Sequence, residues 1–185
     1  MAADQEPEPQ AAAKPADLKR DHERAVADDL LKNLGFKLVF KRLGDDKGEP
    51  DVIYEREDGK TIGIEVSTAY YEEGDAKQEW QHARGEREMP AEGQEPRDGG
   101  VMANPDAQIC DKVQNELEVK CTKKYAGTDE TWLCIKQIAD LSDAESVQDC
   151  IGSLKIPDKH GFAHIYLLYL VPDNEGGGSK AEQII

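Results

Sequence analysis

The sequence predicts an α/β domain of the α+β type, in which helices flank a mixed β-sheet, and three observations support this fold class. Residues 17–34 and 104–125 carry apolar side chains every three to four positions, the period of an amphipathic helix. Short runs rich in β-branched and aromatic side chains lie between and after these segments, which is typical of strands. A tight turn at 57–59 favours antiparallel pairing of two such runs, whereas a helix between two strands favours a parallel crossover.

The predicted elements follow the order αβββαβ, with one more helix and one more strand at the end. Gly35 and Gly59 support two boundaries, because glycine readily takes the positive φ that a helix C-terminus and a hairpin turn require. Asn104 and Ser142 are suitable N-caps for the second and third helices. The predicted helices are 17–34, 104–125 and 142–154, and the predicted strands are 36–40, 51–55, 60–67, 131–137 and 162–171.

The length of 185 residues is sufficient for one domain with a substantial core. We expect a single domain over 17–171, interrupted by a polar insertion at 72–103. Residues 1–16 are rich in alanine, proline and acids and predict a disordered leader, and residues 172–185 predict a flexible tail. The leader lacks the basic start and apolar centre of a secretory signal, and no run of the sequence is long and apolar enough for a membrane span.

The net charge of −16 is the property least favourable to nucleic-acid binding. Acidic side chains concentrate in the leader, in the insertion, and in the segments 140–149 and 171–185. The predicted core is therefore close to neutral, so the overall acidity does not by itself exclude a local site for an anionic ligand.

The four cysteines predict reduced, mostly buried thiols in a cytoplasmic protein. None of them forms a Cys-X-X-Cys pair or a Cys/His spacing that is typical of a metal site. Cys110 and Cys121 fall on one predicted helix about three turns apart, which is too far for a disulfide.

Two carboxylates on the predicted hairpin are the strongest indication of chemistry. Asp51 begins one strand and Glu65 lies inside the next. An isolated carboxylate is costly to bury, so we expect both acids to have a partner. Because side chains alternate along a strand, Glu65 shares one face with Ser67. Two converging carboxylates form an oxygen-rich site suited to Mg²⁺ or Mn²⁺, and such a metal can activate water for attack on a phosphodiester. The opposite face carries Ile62, Ile64 and Val66.

The hairpin also carries a recognisable motif. Pro50-Asp51, followed after the turn by Glu65-Val66-Ser67, resembles the motif of the PD-(D/E)XK nuclease superfamily, which has the restriction-endonuclease-like fold. The preceding acid-bearing helix and the order of the elements are similar to that family as well. The resemblance implies metal-dependent hydrolysis of phosphodiester bonds, with DNA as the expected substrate.

The resemblance extends over residues 17–137 and implies a role for each matching position. Asp51 and Glu65 would bind Mg²⁺ or Mn²⁺, assisted by the backbone carbonyl of Val66. Glu23, on the first helix, would be an outer ligand or a ligand of a second metal. The family includes many homodimers, so the resemblance leaves a homodimer open, although nothing in the sequence marks a dimer face.

The chain departs from the family motif at Ser67, where the family has a lysine. A serine hydroxyl cannot supply the positive charge of an ammonium group. Lys112 is the predicted substitute, because it shares a helix face with Gln108 and the resemblance packs this helix against the catalytic sheet. If no lysine takes the missing place, the resemblance implies a catalytically inactive nuclease fold whose acidic surface binds a basic protein partner.

Lys120, Lys123 and Lys124 form a basic end of the second predicted helix and are candidate contacts to nucleic-acid phosphates. The helix macrodipole also favours cations at a C-terminus, which leaves a purely structural role open for them.

Each candidate acid has a simpler interpretation too. Glu23 fits a solvated acid in a charged helix start, and Asp51 fits a turn after Pro50. Glu65 fits a buried ion pair with a lysine or arginine, although such pairs are expensive to bury.

Overall fold

The computed structural model describes residues 15–45, 47–70, 105–137, 144–171 and 177–185. The predicted insertion 72–103 and the predicted leader up to residue 14 lie outside these residues. Within the described part of the chain, the fold contains three helices and six strands. The helices are α1 (Pro15–Leu34), α2 (Pro105–Cys121) and α3 (Ala144–Ser153), and the strands are β1 (Val39–Leu43), β2 (Val52–Glu55), β3 (Thr61–Ala69), β4 (Glu130–Gln137), β5 (His164–Leu170) and β6 (Ser179–Gln183).

The six strands form one mixed sheet in the order β1-β2-β3-β4-β5-β6. The pairs β1–β2 and β2–β3 are antiparallel, the pairs β3–β4 and β4–β5 are parallel, and β6 returns antiparallel to β5. Crossover helices connect the parallel strands, with α2 between β3 and β4 and α3 between β4 and β5. The predicted mixed sheet with flanking helices is therefore confirmed.

Helices cover both faces of the sheet and bury two apolar clusters. α1 packs on one face, and α2 and α3 pack on the other. The alternation along β3 decides which layer each side chain meets: its buried Ile and Val residues join the α1 cluster, whereas Ala69 joins the α2 cluster. Glu65 and Ser67 share the face of Ala69, so they point toward α2.

α1 ends in a C-cap that the sequence predicts from Gly35. Gly35 has a φ of 70°, and the Phe36 N–H donates to the Leu31 carbonyl at 3.0 Å, as in a Schellman motif. The ring of Phe36 then lies 5.3 Å from the ring of Trp132. The cap uses residues that the sequence assigned to the first strand, so β1 begins at Val39 and not at residue 36.

β2 and β3 form the predicted hairpin. Gly59 in its turn has a φ of 81°, as the sequence predicted. The register pairs Val52 with Ile64, so the next position along the ladder places Asp51 beside Glu65. The hairpin thus brings the two acids to neighbouring positions at one end of β2.

The last strand corrects the prediction of a flexible tail over 172–185. Residues 179–183 form β6, which pairs with β5. β5 is buried along most of its length, so its outer edge carries backbone donors and acceptors that a neighbouring strand satisfies. Asn33 of α1 also donates to Ser179 Oγ at 3.0 Å. The polar composition of this segment gave no strand signal, because its pairing with β5 and not its own propensity makes it a strand.

Cys110 of α2 and Cys150 of α3 form a disulfide, with their Cα atoms 5.5 Å apart. The prediction of reduced thiols is wrong for this pair and is confirmed for Cys121 and Cys134, which are buried and unbridged. Spacing could not reveal the pair, because its partners lie 40 residues apart on helices that meet only in the fold. Disulfides persist mainly in oxidising compartments, so the cytoplasmic location stays a prediction. In the described segments, no helix has the length and apolar character that a membrane crossing requires.

Candidate functional site

A cleft of about 820 Å³ opens where the first half of α1, the β1–β2 loop, β3 and the C-terminal end of α2 meet. Its lining contains as many basic as acidic side chains, although the whole chain has a net charge of −16. The cleft is therefore much less acidic than the rest of the protein. The residues predicted from the sequence that line it are Glu23, Asp51, Glu65, Val66, Ser67, Lys120, Lys123 and Lys124.

One wall of the cleft is the β1–β2 loop, which a network around Glu49 holds in place. Arg42 donates two hydrogen bonds to the Glu49 carboxylate at 2.5 and 2.6 Å, and the Asp45 N–H donates a third at 3.0 Å. These bonds lower the pKa of Glu49 to about 2. The Ala126 N–H donates to the Gly48 carbonyl at 2.9 Å, which ties the loop to the segment after α2. Glu49 is thus part of the wall.

Asp51 lies on the floor of the cleft beside β3. Its Oδ2 accepts a hydrogen bond from the Val66 N–H at 2.8 Å, which fixes the carboxylate to the strand. Burial, followed by the charges of Glu65 and Glu23, raises the pKa of Asp51 to about 7. The charges of Glu65 and Glu23 therefore both oppose the ionisation of Asp51, and a cation beside Asp51 would relieve this repulsion.

Glu65 is 5% exposed and forms an ion pair with Lys120 of α2. Lys120 Nζ lies 2.6 Å from Glu65 Oε1 and 3.3 Å from the carbonyl oxygen of Val66. The ion pair that the sequence left open for Glu65 is therefore present. Its cation comes from a residue that the sequence assigned to phosphate contacts.

Ser67 donates a hydrogen bond to Glu116 Oε2. Glu116 and Lys120 are one turn apart on α2, and Ser67 and Glu65 are two residues apart on β3. The two contacts run in opposite directions along the chain, because a crossover helix returns antiparallel to the strand before it. This register is what brings Lys120 to the acid pair.

Gln108 and Lys112 do not line the cleft. Lys112 shares a helix face with Lys120 but lies roughly two turns, or about 12 Å, closer to the start of α2. The structure therefore places Lys120, and not the predicted Lys112, beside the acids. Because the long insertion separates β3 from α2, no local pattern fixes how far the helix is displaced along the sheet.

Glu23 reaches the cleft from α1, with a side chain that is 12% exposed. Lys19, one turn earlier, lies 3.2 Å from it. The same stretch of α1 adds Arg20 and His22 to the lining, and the sequence did not select these as site residues. Their positions on α1 could have indicated this role. Glu23 continues the buried stripe of α1 that includes Ala27, so the residues next to Glu23 border the same site.

Lys123 and Lys124 line the cleft from the α2 side of the sheet. Tyr125 follows them, packs its ring 5.3 Å from that of Phe162, and buries its hydroxyl in the cleft wall. Burial and the charge of Glu65 raise the pKa of Tyr125, so its hydroxyl stays protonated. No sequence pattern pointed to Tyr125, because its place beside Glu65 depends on where α2 ends.

The oxygen atoms on the cleft floor fit a hard divalent cation in their chemistry. Asp51 and Glu65 offer carboxylates, and Val66 offers a backbone carbonyl. In the part of the chain that the structure describes, no three His, Cys, Asp or Glu side chains are grouped as a ready metal site. A divalent cation held by only two carboxylates would take further ligands from water, as is usual for Mg²⁺ in proteins.

No family model, curated protein or solved structure matches this chain. The function therefore has to be inferred from the geometry and the charges of the cleft.

Proposed function

We propose that this protein is a metal-dependent nuclease with a restriction-endonuclease-like core, which hydrolyses phosphodiester bonds in DNA. The observation that supports this most is that Asp51, Glu65 and Lys120 meet at the floor of one cleft. The family motif combines two acids with a lysine, and here the lysine comes from α2 and not from position 67. The proposal thus accounts for the serine at which the chain departs from the motif.

The residues of the floor have separate roles in this proposal. Asp51, Glu65 and the Val66 carbonyl would hold Mg²⁺ or Mn²⁺, with Glu23 as an outer ligand. When bound, the metal would act as a Lewis acid that activates water and stabilises charge on the phosphate. The chain orients the oxygens, because the Val66 N–H holds Asp51 at 2.8 Å and the hairpin register sets Glu65 beside it. Lys120 would add a positive charge next to the attacked phosphate.

The cations around the floor support a polyanionic substrate. Lys123 and Lys124 border the cleft from one layer of the fold, and Lys19 and Arg20 border it from the other. Each can contact a phosphate, which adds affinity without sequence information. The net charge of −16 over the whole chain disfavours binding elsewhere, so a nucleic acid would be directed to the cleft.

Cleavage of supercoiled plasmid tests the proposal, with Mg²⁺ or Mn²⁺ present and with EDTA as the metal-free control. We expect the wild type to nick plasmid only with metal, and Glu65→Gln to be at least ~100-fold slower because it loses a ligand charge. Lys112→Ala is the matched control on α2 and should retain the wild-type rate, because Lys112 lies outside the cleft. Equal rates for the wild type and Glu65→Gln would refute the assignment of the site.

A second function, an inactive nuclease fold that binds a basic protein, is favoured by one observation. Lys120 already neutralises Glu65 at 2.6 Å, and a permanently neutralised acid needs no metal. Calorimetry with Mn²⁺ separates the two functions, because an inactive module would neither bind the metal nor cleave plasmid. Its acidic surface would instead bind a basic protein with an affinity that falls steeply with added salt.

A further inference from the structure

We infer that the ammonium group of Lys120 occupies the cation position of the acid pair in the metal-free protein, and that a divalent metal must displace it in order to bind. The inference rests on the proposed function. It gives Lys120 a second role, as an internal competitor of the metal for the same oxygen atoms.

The contacts of Lys120 coincide with two of the three proposed metal ligands. Its Nζ lies 2.6 Å from Glu65 Oε1 and 3.3 Å from the carbonyl oxygen of Val66. Divalent cations bind oxygen ligands at about 2.0–2.6 Å, so a metal and an ammonium group cannot both approach these two oxygens so closely. Their like charges would also repel strongly in a buried site. The ammonium group therefore has to move away from these two oxygens before a metal can bind to them.

The burial of the ion pair shows why the resting site needs a cation. The side chain of Lys120 is 14% exposed and that of Glu65 is 6% exposed. Without Lys120, the Glu65 carboxylate would be a charge without its cation in a position that is only 6% exposed, which is unfavourable. Lys120 thus allows the chain to fold with its acids in place before a metal is present.

Lys120 can leave the acid pair without a movement of α2. Leu117 and Cys121 lie beside it on the helix and are 0% and 5% exposed, so the backbone at this turn is anchored in the core. The lysine side chain is a flexible four-carbon stem. Glu116 lies one turn earlier, and a Glu–Lys pair at this spacing is favourable on a helix. The displaced ammonium group therefore has another carboxylate within reach.

Calorimetric titration with Mn²⁺ tests the exchange in the wild type, Lys120→Ala, Lys120→Gln and Lys124→Ala. Lys124→Ala is the matched control, because it removes the same charge from the lining of the same cleft. We expect both Lys120 variants to bind Mn²⁺ about 10-fold more tightly or better, and Lys124→Ala to gain about 3-fold or less through long-range charge. Lys120→Gln retains most of the side-chain volume and a hydrogen-bond donor, so it serves if the alanine variant does not fold.

Thermal unfolding gives a second readout that does not depend on cleavage. Without metal, Lys120→Gln should unfold at a lower temperature than the wild type, because Glu65 has lost its cation. At a Mn²⁺ concentration that half-saturates the wild type, the metal should raise the Tm of Lys120→Gln more than that of the wild type, because a tighter ligand stabilises the folded state more. The Tm increase of Lys124→Ala with Mn²⁺ should be closer to that of the wild type than to that of Lys120→Gln, because its affinity for the metal changes by about 3-fold or less.

The outcomes separate this inference from the proposed function. Tighter Mn²⁺ binding that is confined to the Lys120 variants supports the exchange. Equal or weaker binding in those variants, with plasmid cleavage by the wild type intact, overturns the exchange and leaves the nuclease assignment standing. If none of the four proteins binds Mn²⁺ and the wild type cleaves no plasmid, both proposals are overturned.

Discussion

Asp51 is held in a position that opposes its ionisation. Burial and the charges of Glu65 and Glu23 raise its pKa from the usual 3.8 to about 7. Between these two pH values the folded state binds a proton that the unfolded state has released. This proton therefore contributes its full stabilisation of the folded state below pH 3.8, and the contribution is lost as the pH rises through about 7. A residue that destabilises the resting fold at neutral pH is typical of a functional site.

Asp51→Asn should remove this pH dependence, because the amide carries no charge and keeps an oxygen to accept the Val66 N–H. In EDTA, we expect the variant to be more stable than the wild type by roughly 4 kcal/mol at about pH 8, and equal to it near pH 4. Urea unfolding across this pH range measures the difference.

Glu49→Gln is a control for the same experiment, in which the stability at neutral pH should change in the opposite direction. The pKa of Glu49 is lowered to about 2, so its charge stabilises the fold at neutral pH and its removal should lower the stability there. Parallel stability curves for the wild type and Asp51→Asn would contradict the raised pKa of Asp51.

Positions 67 and 120 should be interchangeable as sources of the cation in the site. Lys120→Ala should slow plasmid cleavage at least ~100-fold at saturating Mn²⁺. Adding Ser67→Lys should recover part of the rate, because residue 67 faces α2 beside Glu65 and already contacts Glu116. Ser67→Arg in the same background is the control of equal charge, because a planar guanidinium cannot replace the point charge of lysine. No recovery in a folded, metal-binding Ser67→Lys double variant would argue against the role of Lys120.

Among the elements, the β2–β3 hairpin could be predicted in detail and the position of α2 could not. The hairpin is local, so its turn and the alternation of its side chains were enough to place Asp51 beside Glu65. α2 follows a long insertion, and its own pattern of apolar residues fixes which face is buried but not where along the sheet the helix lies. This is why Lys112 was selected from the sequence, while Lys120 forms the contact.

β6 and the disulfide were missed for a related reason. β6 is polar along most of its length, and the open edge of β5 makes it a strand. Cys110 and Cys150 are neighbours only because α2 and α3 pack on the same face of the sheet. Both features depend on contacts between distant segments, which periodicity within one segment does not report.

The disulfide should stabilise the packing of α2 against α3. It joins residues 40 positions apart, and the loss of chain entropy in the unfolded state alone corresponds to about 4 kcal/mol for such a loop. We therefore expect dithiothreitol to lower the free energy of unfolding by roughly 2–4 kcal/mol. The double variant Cys110→Ser/Cys150→Ser is the control, because its stability should be low with and without reductant. Equal stability of the oxidised and reduced wild type would contradict this role.

At the scale of the whole molecule, an acidic protein carries a cleft with balanced charge. Repulsion from the acidic surface should keep non-specific binding to DNA weak, while the cations of the cleft provide local attraction. Binding should therefore depend on few phosphate contacts and should be sensitive to each of them.

Lys123→Ala/Lys124→Ala should lower the affinity for DNA at every salt concentration. Fluorescence anisotropy over a salt series should show that the slope of log affinity against log salt falls in magnitude by about 2, roughly one for each lost phosphate contact. Lys32→Ala/Lys37→Ala is the matched double control, since both residues are exposed and lie outside the cleft. Identical slopes for the two double variants would show that Lys123 and Lys124 do not contact phosphates.

Under mechanical tension, the bond between Cys110 and Cys150 would divide the chain into a part that stretches and a part that does not. All of β4, in the interior of the sheet, lies between these two cysteines. If the chain is pulled from its two ends, the force passes through the sulfur atoms and the segment between the two cysteines stays slack. The extended length of the oxidised protein in a single-molecule trace should therefore be shorter than that of the reduced protein by roughly 130–140 Å. When the force is released, the segment that carries Lys120 would refold from a closed loop, in which the disulfide already joins α2 to α3.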